Sequence, residues 1–263
     1  MGSLDARAVR RLVLEQSWQA RVGHIGSCLS IVEILVALYE NVLSLSNVSR
    51  GERDRFILSK GHAALALYAT LHLKGLLTRG DIDSFLAPGS NLGVHPERCV
   101  PGIDFSTGSL GHGLSMGAGA ALAARLQSST RRVFVLISDG ECNEGSVWEA
   151  AMFAAHRKLG NLVAIVDANG QQAFGRTRDV LDTEPLAERW TAFGWHAVEV
   201  DGHNVRALTD ALRRPADSEK PTVAIARTVF GKGVSFMEGQ IPWHYLPMDA
   251  DQYQRALQEV AQS

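Results

Sequence analysis

Two short apolar runs, each followed by a polar turn, most constrain what this chain can fold into. Residues 133–137 read Val-Phe-Val-Leu-Ile and lead to Asp139, and the run at 162–166 leads to Asn169. Uninterrupted apolar runs of this length are typical of strands buried on both faces of a parallel sheet. A helical pattern begins between them at residue 143. As parallel neighbours, the strands would bring Asp139 and Asn169 to the carboxyl edge, where open α/β sheets bind ligands.

The residue types at these strand ends favour a magnesium–diphosphate site. The Asp139 carboxylate and the Asn169 amide supply the hard oxygen donors that Mg²⁺ prefers together with phosphate oxygens. Gly140 lets a phosphate come close to the backbone, and free N–H groups at the start of the next helix attract an anion. Either turn alone is more simply an Asp-Gly or Asn-Gly turn, because such turns are common. The two turns together, with a helix between them, favour a magnesium–diphosphate site.

The rest of the chain predicts strands that alternate with helices. Further strands are predicted at residues 55–59, 195–200 and 222–226. The predicted helices cover residues 4–21, 31–42 (strongly amphipathic), 62–76, 114–126, the stretch from 143, 184–193, 205–213 and 249–262. Residues 86–110, 171–183 and 231–247 are predicted to be loops. This order predicts an α/β fold with a doubly wound, mainly parallel sheet flanked by helices, forming one domain over residues 1–263.

Composition excludes several classes of protein. The 263 residues are 46% apolar and 21% charged, which is ordinary for a globular protein with a sizeable core. A net charge of −2 gives no reason to expect nucleic-acid binding. The three cysteines form no Cys-x-x-Cys pair, which favours a reducing cytoplasm. No apolar run is long enough to span a membrane and no signal-peptide core is seen, so we expect a cytoplasmic protein.

Several histidines lie beside glycine or proline in predicted loops. An isolated loop histidine is more often solvated than catalytic. Imidazole can nevertheless donate, accept or carry a proton near neutral pH, which suits catalysis. The candidates lie in the segments Gly23-His24, Ser59-Lys60-Gly61-His62, His95-Pro96-Glu97 and Trp243-His244.

A glycine-rich loop at residues 107–113 leads into the helix predicted from residue 114. It could be read as a dinucleotide-binding loop, but the next glycine comes only at Gly117 and no clear strand precedes it. The simpler interpretation is close packing of a helix through Gly113 and Gly117.

These motifs together resemble those of a known family. Asp139-Gly140 followed by Asp167-Ala168-Asn169 resembles the thiamine diphosphate fingerprint, and residues 144–150 (Glu-Gly-Ser-Val-Trp-Glu-Ala) are similar to transketolases. The four histidine segments match transketolase motifs in the same order. The resemblance covers nearly the whole chain but only the first of three domains of a full-length transketolase. The chain is identified as an N-terminal, diphosphate-binding (PP-type) subunit of a split transketolase.

The resemblance implies how cofactor and metal are held. The metal, Mg²⁺ or another divalent cation such as Ca²⁺ or Mn²⁺, takes the side chains of Asp139 and Asn169 and the main-chain oxygen of Gln171. The residues that contact thiamine diphosphate are His62, Gly108, Leu110, Gly111, Asp139, Gly140, Glu141, Asn169 and His244, with the glycine-rich loop against the aminopyrimidine.

The resemblance also implies the catalytic residues. His62 and His244 approach the diphosphate, whereas His24 and His95 reach the carbonyl and hydroxyl oxygens of the sugar. Glu144 is expected to be buried between two active sites and to link their cofactors. For Glu144 and Glu149, the simpler alternative is a solvated acid near the positive end of a helix.

The implied activity is transfer of a two-carbon ketol unit from a ketose, expected to be phosphorylated, to an aldehyde. The family takes its catalytic glutamate from a pyrimidine-binding domain, and the roughly sixty residues after Val200 are too few for such a domain. We therefore expect a separate C-terminal transketolase subunit in an α2β2 assembly. The alternatives are the α-subunit of a 2-oxo acid dehydrogenase or related complex, and a non-catalytic assembly subunit.

Four departures from the family pattern bear on substrate specificity more than on cofactor binding. Serine replaces the usual glycine before Asp139, and isoleucine replaces the common proline after His24. The segment Gln171-Gln172-Ala173-Phe174 is unusual, and Tyr245 stands where glycine is common.

Overall fold

A five-stranded, fully parallel sheet forms the centre of the molecule. The computed structural model describes residues 4–45, 52–213 and 219–262. The strands are β1 (Arg55–Leu58), β2 (Val133–Ser138), β3 (Leu162–Ala168), β4 (Gln171–Gln172), β5 (Gly175–Arg176), β6 (His196–Asp201) and β7 (Thr222–Arg227). The large sheet has the order β1-β2-β3-β7-β6, and β4 and β5 form a separate antiparallel hairpin. The α/β class and the parallel sheet predicted from the sequence are thereby confirmed.

Helices cover both faces of this sheet. They are α1 (Ala6–Ala20), α2 (Ile25–Leu29), α3 (Val32–Val36), α4 (Ala64–Leu73), α5 (Arg79–Asp83), α6 (Gly113–Leu126), α7 (Gly145–His156), α8 (Thr177–Leu181), α9 (Leu186–Ala192), α10 (Val205–Leu212) and α11 (Ala250–Gln262). A π-helical segment at Ala37–Val42 follows α3, and single 3₁₀ turns occupy Gly61–Ala63, Gly140–Asn143 and Ile241–His244. None of the described helices is long and apolar enough to cross a membrane.

Strands β2 and β3 bury both of their faces, as their uninterrupted apolar sequences predict. Phe134 and Leu136 pack into the hydrophobic cluster on one face of the sheet, whereas Val135 and Ile137 pack into the cluster on the other. Alternate side chains point to opposite faces of a strand, so a strand covered on both sides must be apolar throughout. Each such side chain contributes about 1.5–3 kcal/mol on burial.

The register of these strands fixes the candidate site. Ser138 pairs with Asp167 at the last position of the β2–β3 ladder. Directly beyond it, the Asp139 N–H donates to the Asp167 carbonyl at 3.2 Å. Both predicted turns therefore leave the sheet at the same edge, as the sequence predicts.

Two sequence-based expectations about local structure are wrong. The sequence pattern predicts one amphipathic helix over residues 31–42, but residues 31–39 are buried on every side within the α3 and π-helical segments. Even the charged Glu33 is buried there, paired with Arg10 at 2.6 Å, so the amphipathic interpretation underestimates the burial of this segment. Residues 171–183 are not a plain loop, because they contain the β4–β5 hairpin and α8.

Candidate active site

The carboxyl edge of the sheet opens into a cavity of about 260 Å³, here called the central cavity. Most of the residues predicted from the sequence line it. Its walls are formed by His24, Ser27, Lys60, His62, Gly108, Leu110, Ser138, Gly140, Glu144, Asn169, Gln171, Gln172, Ala173, Phe174, Phe230 and His244. Residues separated by more than two hundred positions in the chain therefore meet at one sheet edge, where ligands bind in open α/β folds.

Asp139 is a buried carboxylate held by neutral donors. Its Oδ2 accepts hydrogen bonds from the Gly170 N–H at 2.9 Å and the Thr177 hydroxyl at 2.8 Å, and its Oδ1 accepts from the Gly140 N–H at 2.9 Å. Burial, together with the neighbouring charge of Asp167, raises the pKa of Asp139 to about 6. A buried carboxylate held only by neutral donors lacks a countercharge, which a cation bound beside it would supply.

A second cavity of about 350 Å³ adjoins the first and is here called the adjacent cavity. Asp139, Asn169 and Gln171 all line it. Among the described residues, no three His, Cys, Asp or Glu side chains are grouped as a metal site. The donor set here instead combines one carboxylate with amide and carbonyl oxygens, which suits a hard cation that also binds phosphate oxygens and water.

A buried ion pair anchors the end of β3 beneath these residues. The Lys60 ammonium contacts the Asp167 carboxylate, and both side chains are fully buried. Asp167 also accepts hydrogen bonds from the Ser30 hydroxyl at 2.8 Å and from the Asn169 amide at 2.8 Å. The Asn169 Oδ1 in turn accepts from the Gln171 N–H at 2.9 Å. This network fixes the Asn169 side chain, because both of its polar ends are engaged.

Three of the four predicted histidines form a cluster in the central cavity. The ring centroids of His24, His62 and His244 lie 5.3 to 5.5 Å apart in all three pairs. The His24 N–H also donates to the His244 carbonyl at 3.2 Å, so the two segments pair through their backbones. His24 has a left-handed backbone with φ of 61°. Such a conformation is strained for a residue with a side chain and is often found at functional sites.

The cluster favours neutral imidazoles. Burial lowers the pKa of all three rings, to about 4 for His244 and well below its usual range for His62. Repulsion adds to the effect, because Lys60 and the neighbouring histidines disfavour a further positive charge near His62. Neutral rings can both donate and accept a hydrogen bond near pH 7, which suits proton transfer at oxygen atoms.

This clustering predicts a specific dependence of stability on pH. The unfolded chain takes up a proton on His244 near its ordinary pKa of 6.5, whereas the folded protein takes it up only near pH 4. The free energy of unfolding should therefore fall as the pH is lowered from 6.5 to 4. The slope of the free energy of unfolding against pH reports the number of protons taken up on unfolding. We expect His244→Gln to reduce that number by up to about one proton per molecule. The raised pKa of Asp139 acts in the opposite direction but is present in both proteins.

Urea unfolding of wild type and His244→Gln at a series of pH values measures this difference. The two stability curves should diverge below pH 6.5. Parallel curves across that range would contradict the assignment of a neutral buried His244.

His95 and the glycine-rich loop lie at the edge of this cluster. The His95 side chain is exposed and packs beside Gly108, where an added Cβ would lie 3.0 Å from the imidazole. His95 does not itself line the central cavity, although Gly108 does. At Gly111, with φ of 79°, a Cβ would lie 2.7 Å from Glu144, so glycine is required for this close approach.

Glu141, which the resemblance implies as a cofactor contact, has its carboxylate held inside the protein. It is fully buried and does not line the central cavity. Its carboxylate accepts hydrogen bonds from the Ser59 hydroxyl and from the N–H groups of Gly111 and Ser138. Glu141 therefore joins the ends of β1 and β2 to the glycine-rich loop. Its side chain thereby supports the site, and a contact between Glu141 and the cofactor stays a prediction.

Glu144 and Glu149 are both exposed on the described chain, and only Glu144 reaches the central cavity. The burial expected for Glu144 between two active sites depends on a second chain.

Several polar atoms of the central cavity are buried and have no hydrogen-bond partner. A buried polar group without a partner costs about 1–3 kcal/mol, so a cluster of them indicates a polar ligand. The atoms are His24 Nδ1, His244 Nδ1, Gln171 Oε1 and Gln172 Nε2. The cavity thus fits a ligand with several hydrogen-bonding groups, as a diphosphate and a sugar both have.

Sequence reasoning gave no role to Lys60, Asp167 and Thr177, although all three organise this site. Lys60 lies in the segment quoted for His62, and Asp167 in the fingerprint quoted for Asn169. For Asp167 a signal was available, because it follows an apolar strand pattern directly and a charged residue is almost never fully buried unless it is paired.

A parallel sheet with a polar, histidine-lined cavity at its carboxyl edge defines a cofactor-binding α/β domain of an enzyme. Comparison with known proteins identifies the family to which this domain belongs. The family described as transketolase, thiamine diphosphate binding domain, matches residues 3–261. The chain belongs to the transketolase family, and the matched part is its thiamine diphosphate binding domain.

Two similar relatives are themselves transketolase subunits of about the same length. One, from Phocaeicola vulgatus, belongs to an apulose-4-phosphate transketolase and is 42% identical over 262 residues, covering 98% of this chain and 93% of that protein. The other, from a Clostridium species, belongs to a 6-deoxy-6-sulfo-D-fructose transketolase and is 40% identical, covering 97% of this chain and 94% of that protein.

Solved full-length transketolases share the fold. The crystal structure of the Campylobacter jejuni enzyme aligns with a TM-score of 0.90 at 30% identity, covering 97% of this chain and 42% of that chain. The Pichia stipitis enzyme in complex with sedoheptulose 7-phosphate gives 0.89 at 32% identity, covering 97% and 40%. The chain thus spans about two-fifths of the length of the solved transketolases it matches.

Proposed function

We propose that this chain is the diphosphate-binding subunit of a transketolase made of two different polypeptides. The enzyme transfers a two-carbon ketol unit from a phosphorylated ketose to an aldehyde acceptor. One observation carries this proposal. Three neutral imidazoles lie in the same polar region as Asp139 and Asn169 at the ends of the two strands. The relatives named as transketolase subunits, which match over nearly their whole length, support it.

The strand ends hold the metal and the diphosphate. The Asp139 carboxylate, the Asn169 amide oxygen and the Gln171 main-chain oxygen bind Mg²⁺ or a similar divalent cation such as Ca²⁺ or Mn²⁺. Gly140 gives the diphosphate close access to the backbone, and Gly108, Leu110 and Gly111 contact the aminopyrimidine. When bound, thiamine diphosphate supplies a carbon nucleophile and an electron sink beside the ketone of the sugar.

The histidines handle the oxygens and protons of the substrate. His24 and His95 donate hydrogen bonds to the carbonyl and hydroxyl oxygens of the ketose, and His62 and His244 lie toward the diphosphate. A neutral imidazole can accept the proton of a sugar hydroxyl while the carbon–carbon bond of the sugar breaks. It can then donate that proton to the product. Lowered pKa values keep the rings of His24, His62 and His244 neutral at pH 7.

A partner chain completes the active site. It supplies the pyrimidine-binding domain with its catalytic glutamate, in an α2β2 assembly where Glu144 meets the second site. Among the described residues that line the central cavity, Lys60 is the only lysine or arginine, and its ammonium is bound to Asp167. We propose that cationic side chains of the partner subunit bind the phosphate of the sugar.

We further propose that the enzyme acts in the cytoplasm. All three cysteines are free thiols, and Cys28 and Cys142 are buried. Free thiols suit a reducing compartment.

Reconstitution tests the proposal. The full chain is mixed with a candidate pyrimidine-domain chain from the same organism, thiamine diphosphate and Mg²⁺. Ketol transfer between a phosphorylated ketose and aldehydes is then measured. We expect turnover only when both chains are present. Decarboxylation of a 2-oxo acid, or no turnover despite cofactor binding by the mixture, would overturn the proposal in favour of an oxo-acid dehydrogenase subunit or an assembly subunit.

His62→Ala tests the role of the cluster in the same assay. We expect a fall in kcat of about 10²–10³-fold, since positioned proton transfer and hydrogen bonding are worth this much. His196→Ala is the matched control, because His196 is exposed and begins β6 at the opposite end of the sheet. An equal effect of the two substitutions would argue against a catalytic cluster.

A further inference from the structure

The side chain of Gln172, at the end of β4, reaches across the backbone of Gly140. A Cβ added at Gly140 would lie 3.2 Å from the Gln172 Cβ, so the two residues are in close contact. The Gln172 Oε1 accepts a long hydrogen bond of 3.5 Å from the Asn143 amide. Its Nε2 is buried and has no hydrogen-bond partner, although Gln172 lines the central cavity. A buried unpaired N–H lowers stability and therefore requires an explanation.

The hairpin that carries Gln172 is held on both sides, so the amide is kept at this position. The Tyr245 hydroxyl donates to the Ala173 carbonyl at 2.6 Å, and the Gln171 amide donates to the Gly239 carbonyl at 3.2 Å. At the base of the hairpin, the Thr177 N–H donates to the Gly170 carbonyl at 3.0 Å. Because these bonds fix the backbone on either side of Gln172, its amide is pre-organised for a ligand.

We propose that the Gln172 Nε2 donates a hydrogen bond to an oxygen of the cofactor diphosphate seated at Gly140. The inference rests on the proposed diphosphate site and adds to it a ligand contact from the hairpin. Because Gly140 has no side chain, the Gln172 side chain can lie close to the strand end where the diphosphate is proposed to bind. A diphosphate is rich in charged acceptors, and a hydrogen bond to a charged acceptor is stronger than one to a neutral group. The diphosphate would thus give the Gln172 Nε2 the hydrogen-bond acceptor that it lacks within the protein.

Binding of inorganic pyrophosphate to the full chain in the presence of Mg²⁺ tests this directly, and it needs no partner subunit or turnover. The dissociation constant is measured by titration calorimetry. Gln172→Met keeps the size of the side chain but removes the donor, and we expect about tenfold weaker binding. Gln172→Glu replaces the donor with a negative charge and should weaken binding more. Gln258→Glu, exposed on α11, is the matched control and should bind as wild type does.

Urea unfolding separates this role from a structural one. The Nε2 has no partner in the protein, and the Oε1 accepts only the long 3.5 Å bond from Asn143. Gln172→Met should therefore change the urea midpoint little while pyrophosphate affinity falls. Pyrophosphate binding within twofold of wild type in both Gln172 variants would overturn the inference.

Failure of the proposed function gives a different pattern. If wild type shows no Mg²⁺-dependent pyrophosphate binding, or Asp139→Asn binds as well as wild type, the diphosphate site itself is refuted, and the role of Gln172 with it. If Asp139→Asn loses binding and the Gln172 variants keep it, the role of Gln172 alone is refuted.

Discussion

Asp139→Asn is expected to weaken Mg²⁺-dependent binding of thiamine diphosphate at least about a hundredfold, since even the loss of a residue supporting a metal ligand costs about 10–100-fold. The asparagine keeps the shape of the side chain and can still accept hydrogen bonds from Gly170 and Thr177. It removes the negative charge that a divalent cation needs. Ketol transfer by the reconstituted enzyme should fall in parallel.

Titration of the cofactor at fixed Mg²⁺, followed by calorimetry, measures the loss. Asp182→Asn is the matched control, because Asp182 lines the adjacent cavity without belonging to the proposed metal site. Equal cofactor affinity of Asp139→Asn and wild type would refute the assignment of Asp139 as a metal ligand. Removal of the metal with a chelator should reproduce the defect in wild type and add little in the variant.

Lys60→Met should lower the free energy of unfolding by about 3–5 kcal/mol, because it leaves the Asp167 carboxylate buried without its charged partner. Both side chains of the pair are fully buried, so bulk water would solvate the remaining Asp167 carboxylate poorly. The remaining side-chain hydrogen bonds to Asp167, from Ser30, Asn169 and Thr228, come from neutral groups and compensate only in part. Urea unfolding monitored by circular dichroism measures the change.

Lys158→Met provides the comparison for this prediction. Lys158 pairs with Glu219 at 3.1 Å, but both side chains are more than half exposed. Exposed pairs contribute about 0–1 kcal/mol, so this variant should unfold nearly as wild type does. Similar losses from the two substitutions would show that Lys60 does not stabilise the buried end of β3.

The central strands could be predicted because their sequences leave few alternatives. Residues 133–137 and 162–166 are apolar without interruption, and both are buried on both faces of the parallel sheet. The polar residues that follow must then leave the sheet at one edge, which brought Asp139 and Asn169 together in the prediction. The strand ends agree within about two residues, as expected for element boundaries.

The local sequence was less informative where burial, not periodicity, decides the structure. Residues 31–42 have apolar side chains at helical spacing, which cannot distinguish a surface helix from one surrounded by other elements. The β4–β5 hairpin has polar residues and only two residues in each strand. Its position depends on bonds from distant segments, such as the Tyr245 hydroxyl to Ala173.

The sequence by itself determined the fold class, the two strand ends and the histidines to consider, because strand burial and turn chemistry act over a few neighbouring residues. Only the tertiary structure decided that His24, His62 and His244 share one cavity while His95 lies at its edge, and that Glu141 braces the loop. It also decided that the Lys60–Asp167 pair is fully buried. Those properties depend on distances between residues far apart in the chain, and on the exclusion of water that packing alone creates.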